Sequence, residues 1–433
     1  MRFQINSNKN YKADFGEAFL AKLGASTGFS LSNLVVGFAK IKLMATLLDP
    51  AMFGRLNLLQ QIVSTAVTIS TLGADSTCSR EACAQQNKRL PIFYGSIAKI
   101  YAALVLALAL ASLGLGFYFR SYLENTFSSW RLTVLVIVLT VAFSSIYFLN
   151  NSLLAQQKRI GLLQFNVLMG NFSLVGFLFA SYLLGINDVN IAILVILPSF
   201  VTLVFSFYTL RMLDVVKGKL LKSLPSSDAA ISKSFIALGV TMLASSIINP
   251  VAQLIYRTVI NNEMGSVSLG YFAAISGLSI AICSPIANYL YNYYFRSLMD
   301  TKGGEAKGLF YSHILLTFFL LILGYALVLG FGEFVITQLL SDRYSSQIEF
   351  FKLWLFGEII RTVNQCLSLI ALARQDKKYI LGSEVVWAIC ITTCFVFLSL
   401  GGYELIQFGW TYITLNATFF VISFFYHKVR KEI

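Results

Sequence analysis

The sequence predicts an all-α integral membrane protein: about 12 transmembrane helices in two parallel six-helix lobes around a central cavity. Three observations carry that expectation. Hydrophobic residues fill 57% of the 433 positions and charged residues only 12%, too little polar surface to cover a soluble fold of this size. Twelve apolar stretches of spanning length follow one another along the chain. The Lys and Arg residues between them fall almost entirely in every second gap.

The stretches lie at 18–48, 54–74, 91–118, 131–155, 160–184, 190–213, 231–261, 266–295, 307–331, 347–372, 378–400 and 405–426. Residues 1–17 are polar and the apolar run that follows is too long for a signal-peptide core, so the first span is expected to act as its own uncleaved insertion signal. Of the 33 Lys and Arg residues, 22 fall in the two terminal segments, the even gaps and the stretch ends that border those gaps. The odd gaps and the stretch ends that border them hold only Arg55, Arg120, Arg131, Arg343 and Lys352. By the positive-inside rule both termini, 1–17 and 428–433, are expected on the cytoplasmic face of a bacterial inner membrane. The formal charge of +13 follows from this spread over short loops that face anionic lipid, and gives no reason to expect a nucleic-acid partner.

A near-repeat divides the chain. Pro50-Ala51-Met52-Phe53-Gly54-Arg55-Leu56 has a counterpart in Gly265-Ser266-Val267-Ser268-Leu269-Gly270-Tyr271-Phe272, with Gly54 and Gly270 216 residues apart. Six spans per half is an even number, so both halves enter the membrane in the same orientation and the repeats are parallel. The expected lobes are 18–214 and 233–427, joined by a basic, Ser-containing cytoplasmic linker at 215–232. Lobes so joined can rock about a central cavity, which is the geometry of alternating access.

The loops exclude most enzymes. The longest odd gaps, Phe119 to Trp130 and Gly332 to Ser346, lack the length and the His, Asp and Glu set of a catalytic domain, and no phosphate-cradling Gly-rich loop occurs. No cofactor or metal site is expected. The six cysteines, Cys78, Cys83, Cys283, Cys366, Cys390 and Cys394, show no paired ligand spacing and read as free thiols.

Charge at bilayer depth is costly and generally faces a wet cavity or a partner. Lys22, Lys40, Lys42, Lys99, Arg257 and Arg361 lie inside spans. Lys22 and Lys40 share one helical face with Ser26, Asn33 and Gly37, whereas Lys42 points about 200° away from Lys40, so Lys40 and Lys42 cannot both line one lumen of a straight helix. Span seven carries Asn249-Pro250, a kink signal, followed by Gln253 and Arg257 on one face as a polar seam. In span ten, Glu358 and Arg361 are three residues apart; they read either as a neutralised ion pair or as a proton or substrate site. Glu384 in span eleven can take up a proton or pair across helices. Asn57, Gln60, Gln61, Asn150 and Asn151 are expected mainly as interhelical hydrogen-bonding groups. Intramembrane bases outnumber acids, which favours an anionic cargo.

These segments carry a family likeness. Lys42-Leu43-Met44-Ala45 through Phe53-Gly54-Arg55-Leu56-Asn57-Leu58-Leu59-Gln60, Asn150-Asn151 with Gln157-Lys158-Arg159, Pro250 and Tyr256-Arg257 leading to Leu269-Gly270-Tyr271, Gly357-Glu358-Ile359-Ile360-Arg361, and Ala373-Arg374-Gln375-Asp376-Lys377 with Glu384 resemble the Wzx-type flippases. The tryptophan and acidic residue typical of the stretch after Gly270-Tyr271 are replaced here by Phe272 and Ser276-Gly277-Leu278-Ser279. The resemblance implies the fold of the multidrug/oligosaccharidyl-lipid/polysaccharide exporter superfamily. It also implies transfer of O-antigen, common-antigen or similar repeat units on undecaprenyl pyrophosphate from the cytoplasmic to the periplasmic leaflet, alongside the polymerase and chain-length proteins of the pathway. Lys42, Arg257 and Arg361 are then the expected pyrophosphate ligands, Glu358 and Glu384 an ion pair or coupling groups, and Asn33, Gln60, Asn249 and Gln253 sugar or seam contacts. A drug antiporter of the same fold is the competing expectation; it would place a lone acid in the first lobe, where Asp49, Asp75, Glu124 and Asp188 all fall at loops or span ends. A polysaccharide polymerase would need a large periplasmic loop, and a peptidoglycan-precursor flippase usually carries extra spans.

Overall fold

The computed structural model describes residue 32 and residues 34–72, 90–127, 129–156, 160–185, 190–211, 228–290, 294–300, 305–374 and 376–430. The terminal segment 1–17, Lys22, Asn33, Cys78, Cys83 and most of the linker lie outside them. In chain order the helices are α1 (34–47), α2 (Pro50–Ser70), α3 (Leu90–Tyr118), α4 (Arg120–Phe127), α5 (Trp130–Gln156), α6 (Ile160–Leu183), α7 (Ile191–Arg211), α8 (Ala229–Ser246), α9 (Ile248–Glu263), α10 (Gly265–Tyr289), α11 (Phe295–Asp300), α12 (Glu305–Leu339), α13 (Ile348–Ala373), α14 (Lys377–Leu400) and α15 (Leu405–Val429). Among the described residues nine helices are long and apolar enough to cross a membrane, and α8 with α9 forms one further, bent span. α1 and α2 occupy the described parts of the first two expected stretches, 18–48 and 54–74.

Helices are the natural element here because a backbone in lipid must satisfy its own hydrogen bonds. Their ends follow local chemistry. Asp49 caps α2 by accepting from the Met52 N–H at 2.6 Å, with Pro50 in the first turn, where a missing N–H costs nothing. Asp228 caps α8 in the same way through Ala230. The bend of 43° between α8 and α9 falls where Pro250 removes the hydrogen bond to the Ser246 carbonyl.

The lobes meet along α2. It packs lengthwise on α10 and on α9, while α8 crosses to pack on α3. The repeat-related glycines make the α2–α10 crossing possible: a β-carbon on Gly270 would overlap the Pro50 carbonyl oxygen, and one on Gly54 would overlap the Ser266 carbonyl oxygen. Small residues at a lipid-embedded crossing bring backbones together where larger ones would hold them apart. At this end of the bundle, called here the joined end, Phe53 of the first lobe meets Tyr344 of the second edge-on at 6.4 Å. The core runs through this contact, from Met44, Leu48 and Phe53 to Tyr256, Phe272 and Trp354.

At the opposite end of the second lobe, Asp376 ties α14 to α15. Its carboxylate caps α14 through the Tyr379 N–H at 3.2 Å and accepts from the Tyr426 hydroxyl at 2.8 Å and from Arg430. The Tyr426 hydroxyl above all, together with Tyr379 N–H and Arg430, holds this carboxyl below the usual carboxylate range. The tie is therefore complete above about pH 4, the unfolded carboxylate value, and fades as the pH falls through the lower folded value. Asp376→Ala is expected to cost about 1 kcal/mol at neutral pH, and its deficit against wild type should shrink on acidification. Thermal unfolding between pH 7 and 3 checks this; a deficit that does not change with pH would show that the carboxylate charge contributes nothing.

Candidate functional site

Three polar assemblies stand at membrane depth, and each draws on helices distant in sequence. The first is the seam between lobes. Arg257 on α9 donates through one guanidinium nitrogen to Asn57 Oδ1 at 2.7 Å and Gln61 Oε1 at 3.3 Å, both on α2. Gln61 in turn donates to the Pro250 carbonyl at 3.0 Å, so its amide bridges two levels of the kinked span. Gln253 lies half-buried on the same face of α9. The Arg257 Nε is buried and has no protein acceptor.

The second assembly is in the second lobe. Arg361 grips Glu358 with both arms of its fork, Nε to Oε2 at 2.8 Å and Nη2 to Oε1 at 2.7 Å. Tyr412 on α15 donates to the same carboxylate at 2.5 Å and stacks flat on Trp354 at 4.0 Å. Gly357 makes this reach possible, since a β-carbon there would strike the Tyr412 ring. Glu358 is 1% exposed, whereas the Arg361 side chain is 37% exposed. One level away, Asn249 donates from Nδ2 to Glu384 Oε2 at 2.6 Å across α9 and α14, leaving Asn249 Oδ1 buried without a partner. Glu384 thus takes its hydrogen bond from Asn249, with Arg361 within electrostatic reach.

The third assembly is a cavity of about 360 Å³ inside the first lobe. Its wall includes Lys40, Gln60, Thr140, Tyr147, Asn171 and Thr202. Lys42 has a different place. Its ammonium crosses to the second lobe and donates to the Thr337 carbonyl at 2.8 Å, beside a Ser341 hydroxyl contact to the Ala45 carbonyl at 3.4 Å. The helical angle between Lys40 and Lys42 is thus expressed as a division of labour, one lining the cavity and the other tying the joined end.

Of the residues expected to form one cationic site, Lys42, Arg257 and Arg361 go to three separate sets of protein partners. Asn249 and Gln253 share the seam face, Gln60 lines the first-lobe cavity, and Asn33 is outside the described residues. Asn150 is interhelical: it accepts from Tyr94 at 3.0 Å and donates to Ser206 at 2.9 Å. Sequence reasoning missed Tyr412 as a partner of Glu358, because 54 residues separate them and only Gly357 hints at close approach. It also left Lys40 unassigned. Among the described residues no group of His, Cys, Asp and Glu side chains could hold a metal ion.

No protein-family model and no curated protein matches the sequence. Solved structures do match. One is described as the inward-facing conformation of a multidrug resistance MATE family transporter of the MOP superfamily, with 15% identity over 93% of this chain and 94% of that one and a TM-score of 0.65. Another is the lipid II flippase MurJ in an inward closed conformation, with 12% identity, 94% and 87% coverage and a TM-score of 0.63. A third is a MOP superfamily transporter from Pyrococcus furiosus, described by a reversed polarity of its binding pocket, with 12% identity, 93% coverage of each chain and a TM-score of 0.57. At this level of identity the likeness speaks to the fold, and the fold is that of the MATE-type transporters and of the MurJ flippase: a two-lobed, multi-pass helical bundle.

Proposed function

We propose that the protein moves undecaprenyl-pyrophosphate-linked oligosaccharide from the cytoplasmic to the periplasmic leaflet of a bacterial inner membrane by alternating access. The observation that carries the reading is the balance of charge at membrane depth. Lys40, Lys42, Arg257 and Arg361 stand in or between the lobes; of the carboxylates at comparable depth among the described residues, Glu358 and Glu384 already hold protein hydrogen bonds and Glu333 is exposed on α12. A pyrophosphate is attracted to such an interior and a lipophilic cation is repelled. Polar amides at the seam suit sugar hydroxyls, while the polyprenyl tail stays in lipid.

Arg257 is the proposed pyrophosphate contact at the seam, since its guanidinium has a donor left over after Asn57 and Gln61 are served. Lys42 holds the lobes together in the conformation seen here and joins the anion only when the joined end parts. The joined end is assigned to the periplasmic side by the Lys and Arg count.

The test is transfer of a fluorescent lipid-linked oligosaccharide across proteoliposomes, with a cationic dye assayed in parallel. Lipid transfer without dye efflux is expected; dye efflux without lipid transfer would establish the drug-antiporter reading, which the free Asn249 Oδ1 beside Glu384 favours. Arg257→Gln is expected to lower transfer tenfold or more, about 1.4 kcal/mol, with Arg257→Lys between the two because it keeps charge but loses the fork. Wild-type transfer by Arg257→Gln would reduce this residue to a structural donor. For orientation, single cysteines at Ser226 and Lys377 should be shielded from an impermeant thiol reagent in intact cells and one at Ser345 labelled; labelling at Ser226 from outside reverses the direction.

A further inference from the structure

We propose that the first-lobe cavity binds one sugar of the cargo through an anionic substituent on that sugar, with Lys40 as counter-ion and Thr140 as a hydrogen-bonding partner. The proposal rests on the oligosaccharide reading above and adds to it a subsite and a class of sugar. Three features show that the cavity is built for a polar ligand.

Thr140 is 3% exposed, lines the cavity, and its hydroxyl has no protein partner. On the same helix Thr133 and Ser145 return their hydroxyls to the carbonyl four residues back, at 2.9 and 2.8 Å. Thr140 forgoes that bond, and a buried hydroxyl left over in this way calls for a ligand atom.

Lys40 lines the same cavity. Among the described residues of this lobe the carboxylates are Asp49, which caps α2, and Glu124, which pairs with Arg120 at 2.9 Å on an exposed turn. Neither lines the cavity. A cation at this depth with no counter-ion among the described residues is best neutralised by the occupant.

The third feature is backbone. Pro198 inside α7 has no N–H, so the carbonyl of Leu194, another wall residue, lacks its helical donor, and the Pro198 carbonyl takes the Thr202 hydroxyl at 2.6 Å. Gly170 lines the facing wall, where a β-carbon would overlap the Thr202 hydroxyl. The cavity thus offers donors from Gln60 and Asn171, acceptors along the α7 kink, and the Tyr147 ring as an apolar platform. That mixture fits a sugar ring, whose hydroxyls both give and accept and whose C–H face is apolar. The volume is at the lower end of small-ligand sites, suited to a ring and not to a whole repeat unit.

The anion can be a carboxylate on an acidic sugar or the phosphate on the sugar nearest the lipid. Thermal unfolding of the full-length protein in nanodiscs with D-glucuronate, D-glucose 1-phosphate or D-glucose separates them. At least one anion should raise Tm more than glucose in wild type. Lys40→Gln should abolish that difference, Lys40→Arg should keep part of it, and Thr140→Val should weaken all responses. A Lys40-dependent response to glucuronate identifies a sugar acid; one to glucose 1-phosphate identifies the lipid-proximal phosphate. Equal responses to glucose and both anions in wild type, or a wild-type response from Lys40→Gln, overturn the site. If Lys40→Gln does not fold, unchanged responses from both Lys40→Arg and Thr140→Val overturn it. Transfer by wild type is measured beside binding: transfer without Lys40-dependent binding removes the subsite alone, and Lys40-dependent binding without transfer removes the flippase reading alone.

Discussion

Replacing Gly270 with leucine is expected to abolish transport while leaving each lobe folded. The crossing of α2 and α10 brings Gly270 against the Pro50 carbonyl, an atom fixed in a helix start that cannot move aside as a side-chain tip can. Overpacking costs about 1–3 kcal/mol in ordinary cores, and here the cost falls on the conformation with the joined end closed and not on one in which the lobes have parted. A penalty of that size shifts the equilibrium toward the parted state by about 5-fold to 150-fold. A cysteine at Ser266, half-buried at the crossing, should then react faster with an impermeant thiol reagent in the variant, and Gly54→Leu should behave alike. Full transport by Gly270→Leu would mean that the cycle does not require this contact.

The charge cluster of the second lobe gives the next largest effect. Arg361→Gln leaves the Glu358 carboxylate at 1% exposure with only the Tyr412 hydroxyl as donor, and breaking a buried pair from one side costs about 3–5 kcal/mol. Glu358→Gln is expected to cost less, because Arg361 is 37% exposed and can turn to water or to cargo, while the new amide oxygen still accepts from Tyr412. The double variant should be more stable than Arg361→Gln alone, since no unpaired charge stays buried. Thermal unfolding ranks the three. Additive losses would show that the groups do not act as a pair. Transport separates the roles: a cluster that only supports structure recovers with stability in the double variant, whereas an Arg361 that meets the pyrophosphate leaves the double variant inactive.

The parts that were legible in the sequence share one cause. A lipid environment imposes span length, apolar composition and the sidedness of Lys and Arg independently of what packs against what, so the span pattern could be read residue by residue. The Gly54 and Gly270 repeat was visible as text, but that the two glycines touch required the lobes to be assembled. Glu358 and Arg361 could be paired on paper because a helix fixes residues three apart, and the structure shows the fork closed. Where the structure parts from the expectation, the separation in sequence is large.

Lys42 illustrates the divide. Its place near the end of span one and its likeness in position to Arg257 suggested a shared cationic site, yet its ammonium ends on a carbonyl 295 residues away. Lys40, two residues earlier, lines the cavity instead. The helical period fixed the angle between these two lysines in advance and could not say which of them faced inward, because that depends on how α1 is rotated against its neighbours. That the chain is a bundle of membrane helices in two like halves can be read from its residues alone, since span length and repeat follow from transfer energies and helical geometry that act locally. Which bases find partners across the lobes and which one lines a cavity emerges only when the helices pack, because a side chain's partner is set by packing among helices that local energies leave free to turn.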